Sequence, residues 1–251
     1  MWGTVITVNV PQCVDDRAID ALFGWFRRVD DLFSTWRTDS EITRLAHGEL
    51  ELRQTSPEVR TVLELCDQIL DESRGAFDVR VGADARVARR EGLGLIDPSG
   101  MVKGWALQQA ANQLLETSVV NFAINAGGDV VVGGGPAPGE LWRVGIQHPW
   151  ERDKIAAVVE VTDVIIATSG RYERGDHIID PLTGQPANGL ASATVISADG
   201  ARADAYATAL LAMGPTGPAW LSERENVAAL TIGDDRTVTT TRAFEQYRAD
   251  C

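Results

Sequence analysis

The chain has 251 residues, of which 44% are hydrophobic and 24% charged, and a formal net charge of −13. That length can bury one large core or two modest ones, and the composition is ordinary for a globular chain rather than a disordered or fibrous one. The negative surface repels nucleic acid and anionic membranes at long range, and an anionic small-molecule substrate would need local cations or a metal ion in its site.

In chain order, Thr4 to Val10 alternates polar and apolar residues, as a half-buried strand does. Asp15 and Asp16 can cap a helix in which Ile19, Leu22, Phe23, Phe26, Val29 and Phe33 recur at helical spacing. The stretch FSTWRTDSEITRL breaks that helix and starts a short one, capped by Asp39 or Ser40. Ser56-Pro57-Glu58 opens a third helix, expected to run to about Ser73 and to end at Gly75. Phe77 to Val81 reads as a short strand, residues 82 to 95 as irregular, and Gly104 to Glu116 as a helix. The character then turns to β: Val119–Asn125, Val130–Val132, Leu141–Ile146, Ile155–Val161, Val164–Ala167 and Ala193–Ser197. A helix from Ala201 to Met213 is stopped by Gly214 and Pro215, and Val227–Ile232 and Thr237–Thr241 close the β portion. Helices and strands do not alternate strictly, so the expected fold class is α+β, with mostly antiparallel sheets and packed helices. No repeat or linker marks a boundary, and the expectation is a single domain over residues 1–251, with 214–251 structural.

The three cysteines, Cys13, Cys66 and Cys251, lie far apart and form no CxxC pair. They point away from a disulfide framework and from zinc. The opening MWGTVITVNVPQCVDD lacks a basic segment followed by an apolar one, and no run of about 18 apolar residues occurs. A cytoplasmic location without a membrane anchor is expected.

Four stretches carry chemistry in one of two ways. In ADAYAT, Asp204 and Thr208 are four apart and share a helix face. They are either hard oxygen ligands for Mg²⁺ or first-turn helix chemistry. In INAGGDVVVGG, the adjacent glycines either let the backbone approach a ligand or form a plain hairpin. In IDPSGMVKGWA, Lys103 after a turn either neutralises phosphate or is solvated. In HIIDPLTG, His177 is either a general base or a structural histidine, and Asp180-Pro181 with Thr183-Gly184 is a β-turn by composition. TSGRYER, just upstream, adds hydroxyls. There is no GxGxxG and no GxxxxGK[ST].

The order of these motifs is more specific than any one of them. WGT, FSTW followed by DSEI, FDVRVG, ID…KGWA, NAGGDV, WRVGI, ATSGRYER, HIIDPLTG and ADAYATAL occur in succession over about residues 2 to 213. This succession resembles the FAD:protein FMN transferase (ApbE) family. The resemblance implies an enzyme that binds FAD and Mg²⁺ and transfers FMN to a threonine or serine hydroxyl of an acceptor flavoprotein, with release of AMP. The acceptor would carry a motif like D-[GA]-x-[ST]-[SGA]-[AST]-T. It further implies that Asp204, Thr208 and the carbonyl of Gly100 bind the metal and that Lys103 sits near the pyrophosphate. Trp36 would stack on the flavin, and Asn125, Gly127, Gly128, Asp129, Ser169, Gly170 and Thr183 would contact the cofactor. His177 would activate the acceptor hydroxyl, with Asp180 beside it in the catalytic set. Two further readings stay open: an FAD pyrophosphatase with water as acceptor, and a flavin-binding protein without catalysis. The segment from Ala83 to Ile96 is shorter than the family commonly has.

Overall fold

The computed structural model describes residues 3–80, 96–171 and 178–249. Val81, the segment 82–95 and His177 therefore lie outside the described residues. The strands are β1 (Ile6–Asn9), β2 (Phe122–Ala126), β3 (Asp129–Gly133), β4 (Trp142–Gln147), β5 (Ile155–Val161), β6 (Val164–Gly170), β7 (Ile179–Asp180), β8 (Gln185–Pro186), β9 (Leu190–Ser197), β10 (Val227–Gly233) and β11 (Val238–Thr240). The helices are α1 (Asp16–Phe33), α2 (Glu41–Ala46), α3 (Pro57–Glu72), α4 (Ser99–Glu116), α5 (Gly200–Met213) and α6 (Gly217–Ser222). The architecture is α+β, as the absence of strict alternation implies.

One seven-stranded sheet, in the order β1-β2-β3-β6-β9-β10-β11, organises the chain, and every pairing in it is antiparallel. Side chains along each strand alternate between its two faces. On one face Ile124, Val131, Ile165, Ala167 and Val195 meet the helices through residues such as Met101, Leu107 and Leu210. On the other, Val130, Ile166, Ile196 and Leu230 pack under Trp142, Ile146 and Val159 of the β4–β5 hairpin and under Phe244 of the closing 3₁₀ helix, Arg242–Tyr247. Burial on both faces explains why no residue of β3, β9 or β10 is exposed.

The helix boundaries follow capping chemistry. Asp15 accepts the Arg17 N–H at 2.9 Å to open α1, Ser40 caps α2, and Ser56 with Pro57 opens α3. Gly75, at φ +89°, takes the left-handed position after α3 and donates its N–H to the Leu70 carbonyl at 2.8 Å.

Two expectations are corrected. The described part of Phe77–Val81 is not a strand. Its backbone is satisfied locally, Phe77 N–H on the Ser73 hydroxyl (3.0 Å) and Arg80 N–H on the Asp78 carboxylate (3.1 Å), and the Val79 carbonyl accepts from Asp97 N–H (2.7 Å). Asp97-Pro98-Ser99-Gly100 is not a turn ahead of a helix at Gly104. The Asp97 carboxylate accepts the Ser99 N–H (3.0 Å), the Pro98 carbonyl accepts from Met101 and Val102, and α4 starts at Ser99.

Candidate active site

The central feature is the contact between α4 and α5. The Asp199 side chain caps α5 by accepting the Arg202 N–H at 3.0 Å. All but three of the fourteen residues of α5 are buried, so the Asp204 carboxylate lies in the interior, 2% exposed. A buried carboxylate needs partners. One of its oxygens accepts the Gly104 N–H at 3.0 Å. That approach requires glycine: a Cβ on Gly104 would stand 2.0 Å from the Gly200 carbonyl oxygen and 2.8 Å from the Asp204 Cβ.

One turn along α5, the Thr208 hydroxyl donates to the Gly100 carbonyl at 3.4 Å and lies 3.2 Å from the Ser169 hydroxyl of β6. Gly100 is less tightly constrained than Gly104: a Cβ there would stand 2.9 Å from the Thr208 hydroxyl oxygen, a side-chain atom. Adjacent ligands of an octahedral Mg²⁺ at about 2.1 Å are about 3 Å apart. The Thr208–Gly100 and Thr208–Ser169 spacings are close to that edge, and Asp204 adds an anionic oxygen to the same helix face. The donor set is entirely oxygen and fits a hard divalent cation.

Lys103 projects from the same turn of α4 and meets Asp129. Its Nζ is 2.5 Å from one Asp129 oxygen, while the other oxygen accepts the Thr168 N–H at 2.9 Å. The Asp129 side chain is 1% exposed and that of Lys103 20%, so the cation alone reaches solvent. Asp129 follows the β2–β3 turn, where Gly127 (φ +64°) and Gly128 (φ +100°) take the two left-handed positions of a tight hairpin. The Asn125 side-chain carbonyl accepts the Gly128 N–H at 3.0 Å. Near the end of the sheet the bonds form separate groups: Asn125 with Gly128, Lys103 with Asp129 and Thr168, Thr208 with Gly100 and Ser169, and Asp204 with Gly104. Gly170, the buried last residue of β6, adjoins Ser169.

The remaining expected residues are placed differently. Trp36 is 84% exposed and sits in a separate cleft with Gly3, Ile6, Phe23 and Phe26. Ile6 pairs with Ala126, so that cleft opens at the same end of the sheet as the glycine turn. The Asp180 carboxylate holds its own turn, accepting from Leu182 N–H (2.9 Å) and the Thr183 hydroxyl (2.8 Å). The Thr183 hydroxyl in turn accepts the Gln185 N–H at 3.3 Å. Sequence reasoning passed over Gly104 and Gly200. The signals were there, a glycine directly after Lys103 and one directly after the cap Asp199, but nothing local pairs them.

A model of the ApbE family matches residues 2–93 and 84–231. The chain belongs to the ApbE family. The FAD:protein FMN transferase of Vibrio cholerae serotype O1 is 29% identical over 289 residues, spanning 96% of this chain and 85% of that protein. That of Klebsiella pneumoniae is 28% identical over 238 residues, spanning 74% of this chain and 68% of that protein. Among solved structures, the flavin transferase ApbE from Vibrio cholerae superposes with a TM-score of 0.83 at 25% identity, covering 98% of this chain and 96% of that one. The ApbE protein of Thermotoga maritima shares the fold, with a TM-score of 0.85 at 22% identity over 99% of this chain and 97% of that one. Among the described residues, no helix of this ApbE-family chain is long and apolar enough to cross a membrane.

Proposed function

We propose that the protein is an FAD:protein FMN transferase that moves the FMN part of FAD onto a threonine or serine hydroxyl of an acceptor protein and releases AMP. The observation that carries this reading is the oxygen cluster of Asp204, Thr208 and the Gly100 carbonyl, set one helical turn from the Lys103–Asp129 pair. Family membership supports it.

The acceptor hydroxyl oxygen forms a bond to the phosphorus of the FMN half, the bond from that phosphorus to the bridging oxygen breaks, and AMP leaves with that oxygen. In the proposed site His177 takes the hydroxyl proton. Asp204, Thr208 and the Gly100 carbonyl would hold Mg²⁺, which would supply Lewis acidity to the phosphoryl oxygens. Lys103, held by Asp129, brings its ammonium charge to the phosphate oxygens. In a chain of charge −13 these two cations offset a field that would otherwise repel the dinucleotide. The positive-φ turn at Gly127-Gly128 allows close approach of the backbone. Trp36 offers an indole face for flavin stacking. Asp180 and Thr183 shape the turn that follows His177.

The test is to incubate the full chain with FAD, Mg²⁺ and an acceptor domain bearing the D-[GA]-x-[ST]-[SGA]-[AST]-T motif. Covalent flavin fluorescence on the acceptor, with AMP in equal amount, is expected. AMP release with no flavin on the acceptor identifies a pyrophosphatase instead, and flavin binding without AMP identifies a non-catalytic binder.

A further inference from the structure

A protein acceptor must deliver its hydroxyl to this site, and β4 marks the route. A groove of about 530 Å³ is lined by every residue of β4, Trp142 to Gln147. Successive strand side chains point to opposite faces, so a groove touching six consecutive residues runs along the backbone edge of the strand. One edge of β4 is paired with β5 along its length. The groove therefore follows the other edge, which has no partner strand among the described residues. The far edge of β5, by contrast, is covered: Val159 bridges Arg248, and the Ala249 N–H donates to the Val158 carbonyl at 3.1 Å.

The opposite wall is the face of the large sheet, through Thr7, Asn9, Ala123, Asn125 and Thr168. The β4–β5 hairpin covers the apolar part of that face, over Val130, Ile166 and Ile196. It stops short of β1, where Thr7 and Asn9 stay exposed. The uncovered strip carries hydroxyls, amides and a methyl group. Among the described residues lining the groove, Arg143 is the one charged side chain, and it pairs with Glu160 at 3.7 Å. Phosphate would call for cations here; a peptide backbone calls for a free strand edge.

We propose that an extended segment of the acceptor protein adds to the free edge of β4 as a third strand of the small sheet. It lies over the polar strip and brings its Thr or Ser hydroxyl to the Gly127-Gly128 end of the groove. The inference rests on the flavin-transfer reading for the identity of its occupant. Backbone hydrogen bonds to β4 supply affinity that tolerates sequence change, and the hydroxyls and amides of the floor offer hydrogen-bond partners to polar side chains of the segment. Packed sheets lie about 10 Å apart, which leaves room for one added strand on the layer that β4 and β5 begin. The groove meets the rim of the site at the glycine turn, since Gly127 and Gly128 line it, and Thr168, which also lines it, holds Asp129 through its N–H.

Hydrogen exchange on the full chain, with and without a synthetic peptide containing Asp-Gly-Ala-Ser-Gly-Ala-Thr, tests the docking directly. Slowed exchange of the backbone amides in residues 142–147 is expected. Thr7→Trp and Asn9→Trp, both at exposed positions, fill the groove. They should raise the KM for the peptide by about tenfold and leave the FAD dissociation constant unchanged. Unchanged β4 exchange at saturating peptide overturns the proposal, as does an unchanged KM in both variants. Weaker FAD binding in those variants also overturns it, since the groove would then hold the dinucleotide. A concentration-dependent dimer without peptide that protects the same amides assigns the edge to a second copy and likewise overturns it. Protection of β4 without flavin on the peptide upholds the docking and defeats the transfer reading; flavin on the peptide without protection does the reverse.

Discussion

The backbone N–H of Gly104 donates to the Asp204 carboxylate at 3.0 Å, across the contact of α4 with α5. This one bond ties the carboxylate proposed to hold the metal to the glycine that lets the helices touch.

It separates two roles of Asp204. Asp204→Asn keeps an oxygen for the Gly104 N–H and removes the charge. AMP release from FAD at saturating Mg²⁺ is expected to fall by about a hundredfold or more, with a thermal midpoint near that of the parent. Asp204→Ala should lose the same activity and also about 1–3 kcal/mol of stability, because the Gly104 N–H is left buried without this acceptor. Full Mg²⁺-dependent turnover in the Asn variant would remove Asp204 from the metal set.

Gly104→Ala should force α4 and α5 apart, since the added methyl would stand 2.0 Å from the Gly200 backbone oxygen. Backbone cannot swing aside as a side chain can, so a cost of about 1–3 kcal/mol or more is expected, read as a lower urea midpoint. A variant as stable as the parent would mean that the interhelical contact is looser than described.

Lys103→Met leaves the Asp129 carboxylate, 1% exposed, without its cation. Breaking a buried pair from one side costs about 3–5 kcal/mol. Asp129→Asn in the same chain should recover part of that loss, because the amide oxygen still accepts the Thr168 N–H while the buried charge is gone. A double-mutant cycle in urea checks this, and simple additivity of the two changes counts against the pair.

Glu72 supplies a pH-dependent contribution to stability. Its carboxylate accepts from Arg202 Nη2 at 2.8 Å and from the Tyr206 hydroxyl at 2.5 Å. Burial pushes its pKa up, but the hydrogen bonds from Arg202 and Tyr206 outweigh burial and hold it below the ordinary carboxylate range. A depressed folded pKa means that the stabilisation is complete above the unfolded value, about 4.3, and disappears as the pH falls through the lower folded value. Urea midpoints at pH 6, 4 and 3 (chosen to span about that range) should fall more steeply for the parent than for Glu72→Gln. Parallel curves would remove Glu72 from the acid response. Arg202 and Tyr206 lie on α5 two residues before Asp204 and Thr208, hence on the opposite side of the helix. The same residues that answer to acid therefore seat the helix that carries Asp204 and Thr208.

Parts of the candidate site's local geometry were legible in the sequence. Asp204 and Thr208 share a face because a helix repeats every 3.6 residues, and Gly127-Gly128 make a tight hairpin because they alone of their neighbours take positive φ cheaply. Phe77 to Val81 misled because an apolar run flanked by polar residues looks like a strand. Its hydrogen bonds go instead to the Ser73 and Asp78 side chains. The start of α4 was missed because Asp-Pro-Ser-Gly suits both a turn and a first helical turn. Asp97 accepting from Ser99 decides for the helix.

By itself the sequence determined the periodicities, the caps, the chain stops and the succession of motifs by which the family is known. Those depend on backbone geometry within a few residues. Only the tertiary structure decided that Gly104 meets Asp204, that Lys103 pairs with Asp129, that β6 lies between β3 and β9, and that the outer edge of β4 faces a groove. Such contacts join segments far apart in the chain. They are selected by the summed burial of two sheet faces, a quantity that no local stretch of residues contains.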